Sequence, residues 1–197
     1  DFVNVYINLS HIKLTGKDLI TNADLDIADN LADTDLSFSV SGTTATFNDG
    51  LEVFVRSEKT YRPGGNVVLD DLVIGGTLDM ENNGITVHGS WRVVSDVVGV
   101  FEAGGSSLVT FSSSNQETIY SGPSNFNNLT FNGSGGEWTL NDNLSVSSVL
   151  TITSGTLNAS NKTITLSGSG TPFVNNGTFT YSTSTVKYTG AGDTNIA

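Results

Sequence analysis

Cysteine is absent from this chain, which excludes disulfides, thiolate metal sites and a thiol nucleophile. Cations are scarce: eight Lys and Arg stand against 20 Asp and Glu, for a formal net charge of −12. Binding phosphates needs a clustered basic face, and Lys13, Lys17, Arg56, Lys59, Arg62 and Arg92 are instead interleaved with acids. Nucleic acid is therefore excluded as an expected partner, and the charge reads as a soluble, self-repelling surface. No apolar run approaches the roughly 18 to 20 residues that span a bilayer, so no membrane span is expected. No basic segment precedes an apolar stretch at the start, so Asp1 is read as following a removed signal or a cut in a longer chain. With only His11 and His88, no triad can be assembled around a histidine. Phosphate-loop and HExxH patterns are missing too.

Helical periodicity is also lacking, since no window past position 36 carries a 3.6-residue apolar stripe. What takes its place is a set of short alternating triplets such as Leu129-Thr130-Phe131, Trp138-Thr139-Leu140, Leu144-Ser145-Val146 and Ile164-Thr165-Leu166. Asn, Gly, Ser and Asp separate them, the residues that tolerate tight turns. Strands this short are marginal as isolated hairpins and must stack.

The chain also repeats itself. Gly76 to Ser90 (GTLDMENNGITVHGS) lies over Gly155 to Ser169 (GTLNASNKTITLSGS), and Leu108 to Ile119 lies over Thr185 to Ile196 at nearly the same spacing. Val53, Tyr61 and Asn66 correspond in the same way to Leu129, Trp138 and Asn143. Near-duplicate units of about 51–126 and 127–197 result, preceded by residues 1–50 as an N-terminal cap or degenerate coils. Three strands per coil give Leu129, Trp138, Leu144, then Leu150, Leu157, Ile164, then Phe173, Phe179, Val186. The earlier unit gives Val53, Tyr61, Val67, then Val73, Leu78 and Thr86 flanked by Ile85 and Val87, then Val94, Phe101, Val109. Each coil takes about 19–23 residues. One face is expected to bury Tyr61, Leu78, Phe101, Trp138, Leu157 and Phe179, with Thr60, Thr77, Thr156 and Thr178 outward beside them. Ile119 to Asn128 fits neither coil and is read as a bulging loop or a fourth strand. The fold class is all-β, a parallel β-solenoid, right-handed. Within residues 1–50, Phe2 to Leu9, Leu36 to Val40 and Thr43 to Phe47 read as strands, whereas Thr21 to Ala32 suits a strand or a short acidic helix.

The segments GTLNASNKTITLSGS, NNGTFTYSTSTVKYTG and SNFNNLTFNGSGGEWTLNDNLSV resemble the degenerate repeats of large bacterial cell-surface β-helix proteins. The resemblance covers about residues 51–197 and implies an extracellular or cell-surface structural protein, adhesin or stalk. The same architecture hosts polysaccharide lyases and hydrolases, so fold alone does not settle activity.

Several constellations carry chemistry. Asp70, Asp71, Asp79 and Glu81 lie near the Arg56, Lys59, Arg62 segment, and on the coil register Arg62, Asp79 and Glu102 stack on one outward face. Paired carboxylates beside an arginine suit cleavage of an acidic sugar; the plain reading is a solvated charge ladder. Asp24, Asp26 and Asp29 head an acidic run that offers hard oxygens to calcium, in neither an EF-hand nor a β-roll spacing, and the alternative is a solvated acidic cap. No other cofactor is expected. Thr151-Ile-Thr153, Thr163-Ile-Thr165 and Thr178-Phe-Thr180 resemble ice-binding T-x-T faces but fall on three different faces. Asn8, Asn128, Asn132, Asn143, Asn158, Asn161 and Asn176 open N-x-[ST] sequons, possible glycosylation sites in a surface protein. Finally, the last coil reads as unfinished, which leaves strand edges at Val186, Tyr188 and Ile196 to meet Phe2, Val3, Val5 and Ile7 of another copy. Such head-to-tail contact does not close and yields a filament. The expected function is thus a non-enzymatic structural or adhesive surface protein that self-associates or belongs to a longer array, with surface glycans as partners. The alternative is a carbohydrate-active β-helix or a glycan-binding adhesin.

Overall fold

The computed structural model describes the strand backbones within residues 5–54, and both backbone and side chains for residues 55, 57–58, 60–62, 65–94 and 99–195. Every strand pairing in them is parallel, and three faces wind about one axis. The first face stacks β1 (Val5–Tyr6), β4 (Leu25–Ile27), β7 (Glu52–Val55), β10 (Asp71–Ile74), β13 (Trp91–Val93), β16 (Gln116–Tyr120), the later halves of β17 (Asn128–Leu140) and β19 (Leu150–Asn158), and β22 (Thr178–Thr180). On the second lie β2 (Ile12–Thr15), β5 (Leu36–Ser41), β8 (Thr60–Arg62), β11 (Thr77–Asp79) and β14 (Val100–Glu102), continued through Asn125 and Phe126 to β18 (Leu144–Val146), β20 (Thr163–Leu166) and β23 (Thr185–Tyr188). The third carries β3 (Leu19–Thr21), β6 (Thr44–Phe47), β9 (Asn66–Leu69), β12 (Ile85–Val87), β15 (Leu108–Phe111), the early halves of β17 and β19, and β21 (Phe173–Asn175). From β7 onward the chain makes about six turns. Successive partners on the third face are Val67, Ile85, Val109, Leu129, Leu150 and Phe173, so the coils differ in length and the turns absorb the difference.

From β8 onward alternation turns one side of each strand inward, and the inward residues line up from coil to coil. Val67, Ile85, Val109, Leu129 and Leu150 form one fully buried row, and Leu69, Val87, Phe111, Phe131 and Ile152 the next. Aromatic rings thicken the thin core: Phe111 and Phe131 stack at 5.3 Å and 13°, and Trp91 meets Phe101 edge-on at 4.8 Å. Such pairs add about 0.5–1.5 kcal/mol each beyond their buried area. Where β17 and β19 turn a corner without breaking, glycines allow the close nesting. A Cβ on Gly133 or Gly136 would run into the Ser113 carbonyl oxygen, and Gly155 sits at φ +82.

At the turns, side chains replace the missing ladder. Asn66 Oδ1 accepts from the Gly84 N–H at 2.8 Å, Asn143 Oδ1 from Thr163 N–H at 2.8 Å, and Asp71 Oδ1 from Ser90 N–H at 2.7 Å. Each of these ties one coil to the next, which gives the many Asn and Asp between strands a structural reason.

Three expectations need correction. Tyr61, Leu78 and Phe101 do share a row, but on the second face, whereas Trp138, Leu157 and Phe179 lie on the first. The inward residues of β10 and β13 are Leu72, Ile74, Trp91 and Val93, not Val73 and Val94, which are half-buried and outward. Val73 and Val94 are apolar although outward, so hydrophobicity alone does not choose the register at these two positions, and a slip of one residue inverts every side chain. Lastly, Ile119 and Phe126 are fully buried: the segment that fitted neither coil supplies the end of β16 and the second-face link between Glu102 and Val146. The ambiguous acidic segment contains a strand, β4.

Candidate functional site

The third face carries an outward column in which every residue from Val68 is β-branched: Val68, Thr86, Thr110, Thr130, Thr151 and Val174 in register. β-Branching restricts χ1 along such a row. Beside it the neighbouring column is interrupted. Gly84 stands between Asn66 and Leu108, and with no side chain there the face opens into a groove of about 410 Å³. Val68, Thr86 and Thr110 line its floor, while Asn82 and Ser106 reach it from the turns. Leu108 is 42% exposed, one of the few large apolar side chains in the described residues that face solvent.

The polar groups of the groove are held in place. Asn82 Oδ1 accepts from the Gly105 N–H at 3.1 Å and from the Ser106 hydroxyl at 3.2 Å, and Asn66 Oδ1 is engaged by Gly84. Both amide oxygens are thus satisfied by their surroundings, whereas neither amide nitrogen has a hydrogen-bond partner among the described residues. Every residue lining the groove is uncharged. Sequence reading singled out none of Asn66, Asn82, Gly84, Ser106 or Leu108 as a site, because the gap exists only once the register places Gly84 between two side chains.

Of the constellations expected from sequence, the charge ladder forms. Arg62 Nε donates to Asp79 Oδ2 at 2.6 Å, and Asp79 and Glu102 are register partners on the second face. Asp79 Oδ1 accepts from the Glu81 N–H at 2.9 Å, so both oxygens of this carboxylate are engaged, and Asp71 is committed to its turn. No cluster of three or more metal-binding side chains occurs among the described residues. Asp24 and Asp29 lie outside the described residues. Asp26 falls within β4, in register with Tyr6 and Phe54. His88 is half-buried just after β12 and His11 lies outside the described residues. A carboxylate that sequence reading passed over, Glu117, accepts from Ser90 and Ser113 hydroxyls at 2.8 Å each, in an inward row beside Trp138. The three T-x-T stretches fall on three faces, as expected. Burial pushes the Tyr61 phenol above its ordinary range.

The sequon asparagines divide into two groups. Asn132, Asn143, Asn161 and Asn176 are exposed. Asn128 and Asn158 are half-buried and use their amide nitrogens, on Asn127 Oδ1 at 2.7 Å and on Glu137 Oε1 at 3.2 Å. Asn8 lies outside the described residues. Of the edge residues, Val5 pairs with Leu25, while Phe2, Val3, Ile7 and Ile196 lie outside them. Val186 and Tyr188, with Phe173 and Phe179, pack on the core but stay partly exposed.

No protein-family model, curated protein or solved structure matches this chain. Among the described residues, no helix is long and apolar enough to cross a membrane.

Proposed function

We propose that this chain is a non-enzymatic structural and adhesive module of an extracellular or cell-surface protein, a rigid solenoid whose outward faces make contacts. The observation that carries the reading is the behaviour of the inward rows. They are fully buried coil after coil and then, at Phe173, Phe179, Val186 and Tyr188, only half covered. A solenoid gains stability by adding neighbours in one dimension, and a further coil over β21, β22 and β23 would bury these four side chains. Head-to-tail stacking of a second copy is one way to supply it. The exposed sequon residues Asn132, Asn143, Asn161 and Asn176 are the positions suited to carry glycans on such a module.

The test is sedimentation velocity and negative-stain microscopy of the purified chain over a concentration series, beside Val186→Glu. Stacking predicts rods that lengthen with concentration, and Val186→Glu shortens them while leaving the β circular-dichroism signal intact. Rods of one length at every concentration overturn self-association. Turnover of any polysaccharide by the purified chain overturns the non-enzymatic reading.

A further inference from the structure

We propose that the groove at Gly84 is a binding site for a neutral, hydroxyl-rich saccharide chain. The inference rests on the adhesive part of the reading above and adds a site and a ligand class to it. Its volume of about 410 Å³ lies within the range of roughly 300–1,000 Å³ typical of ligand clefts. The lining is free of charge, so nothing there would repay the desolvation of an anionic or cationic ligand. A sugar chain needs donors and acceptors spaced along an apolar strip. The groove offers the amide nitrogens of Asn66 and Asn82, the hydroxyls of Thr86 and Thr110, and the apolar surface of Val68 and the exposed Leu108.

Preorganisation favours binding. The oxygen of each asparagine is anchored to a backbone N–H of the next coil, which orients its free nitrogen before a ligand arrives, and the two threonines are register partners with restricted χ1. Ordering costs on binding are correspondingly small. The groove is open on its outer side and lies on a continuous face, so it admits the middle of a chain and does not require a chain end.

The internal repeat supplies a variant that closes the groove without disturbing its turn. Residue 163 is the repeat equivalent of Gly84, and Thr163 there donates its N–H to Asn143 Oδ1 at 2.8 Å just as Gly84 does to Asn66. A Cβ at Gly84 would lie 3.3 Å from Asn66 Oδ1, which calls for a shift of a few tenths of an ångström in that side chain, and the φ there is not left-handed. Gly84→Thr is therefore expected to fold, and it fills the gap. Thr110→Val removes a hydroxyl at constant shape. Thr165→Val, outward on the second face, serves as the control.

Binding would be measured by calorimetry and by amide chemical-shift changes, using pentamers of neutral β-glucan, xylan, mannan and N-acetylglucosamine, with oligogalacturonate as the anionic comparison. The expected result is binding of at least one neutral pentamer that shifts the amides around residues 66, 84 and 108. Gly84→Thr should abolish it and Thr110→Val weaken it about tenfold, the effect of one lost hydrogen bond near the upper end of the usual range, with Thr165→Val unchanged. Neutral binding that survives Gly84→Thr would overturn the site but leave the adhesive reading. A preference for oligogalacturonate would overturn the ligand class. No binding to any neutral pentamer at millimolar concentration would overturn the inference, while the rod reading is judged separately by microscopy.

Discussion

Replacing Phe126 by alanine should be among the most damaging single substitutions in this chain. Its ring is fully buried and lies 5.3 Å from both the Trp91 and the Phe101 rings. The backbone around it has little support of its own. On the second face the coil between β14 and β18 is held by two isolated bridges, Glu102 to Asn125 and Phe126 to Val146. The second bridge consists of the hydrogen bonds from Phe126 N–H to Ser145 O at 3.0 Å and from Ser147 N–H to Phe126 O at 2.8 Å. Phe101 N–H in the preceding coil is satisfied by the Ser124 hydroxyl at 3.0 Å, so the ring, more than the ladder, fixes this segment.

Truncating a buried phenylalanine costs about 3–5 kcal/mol, the transfer term plus an incompletely collapsed cavity. The upper half of that range is expected here, because parallel coils on both sides prevent collapse along the axis. Phe179→Ala is the comparison. Phe179 is partly exposed, with one aromatic neighbour, Phe173, at 5.3 Å, so less area is lost and solvent fills the gap; about 1–2 kcal/mol is expected. Urea unfolding followed by far-ultraviolet circular dichroism and by fluorescence of the two tryptophans measures both. A loss below about 1 kcal/mol for Phe126→Ala, or equal losses for the two variants, would refute the claim that this segment is an integral coil.

Two further outcomes follow from local geometry. Because burial raises the Tyr61 phenol above its usual value near 10, the fold holds the neutral form; stability contributed below pH 10 is then lost as pH rises beyond it, by about 1.4 kcal/mol per pH unit, until the folded phenol also ionises. Tyr61→Phe should flatten the stability profile between pH 10 and 11 relative to the parent, and identical slopes would contradict the burial. Gly104 adopts φ +71 and a Cβ there would overlap the Glu81 carbonyl oxygen, so Gly104→Ala should cost at least about 2 kcal/mol. Gly105→Ala, whose nearest contact is Asn82 Oδ1 at 3.8 Å, should change the melting temperature little.

The architecture was legible because alternation and turn chemistry agree over most of the chain. Wherever one side of a strand is polar, as at Leu129-Thr130-Phe131 or Ile164-Thr165-Leu166, the inward residues are those that alternation selects. Alternation misled at Leu72-Val73-Ile74 and at Val93-Val94, where Val73 and Val94 are apolar but outward. There the register is set by the pairing with neighbouring coils, which no local pattern contains. The link at Phe126 was hidden for a different reason: two bridged residues flanked by Ser124 and Asn127 show no strand signature, and only the aromatic neighbours reveal their place. The groove was hidden most completely, since a glycine after two asparagines reads as a turn anywhere. Its meaning comes from Asn66 in the coil before it and Leu108 in the coil after it, and neither is near Gly84 along the chain.

The internal repeat also explains why two similar halves present different surfaces. From Val53 to Leu129 the chain passes through β8 to β16 and the Asn125–Phe126 segment before entering β17, eleven strand steps where four full coils would take twelve. Equivalent residues therefore land on neighbouring faces: Tyr61 on the second and Trp138 on the first, Ile85 on the third and Ile164 on the second. The turns survive this rotation. Glu81 and Ser160 both take positive φ, +54 and +51, and Asn83 N–H to Met80 O at 2.8 Å matches Lys162 N–H to Ala159 O at 2.9 Å. Inward rows and turns are what hold a coil, and they recur. The outward rows are free to differ: Arg62, Asp79 and Glu102 correspond to Thr139, Asn158 and Thr180, a neutral row in register on the first face, and Gly84 corresponds to Thr163. A feature placed on the outside of one half thus has its counterpart position around the corner, not further along the same face. The two halves therefore share a skeleton without sharing an outward surface, and the position equivalent to Gly84 in the second half is filled by Thr163.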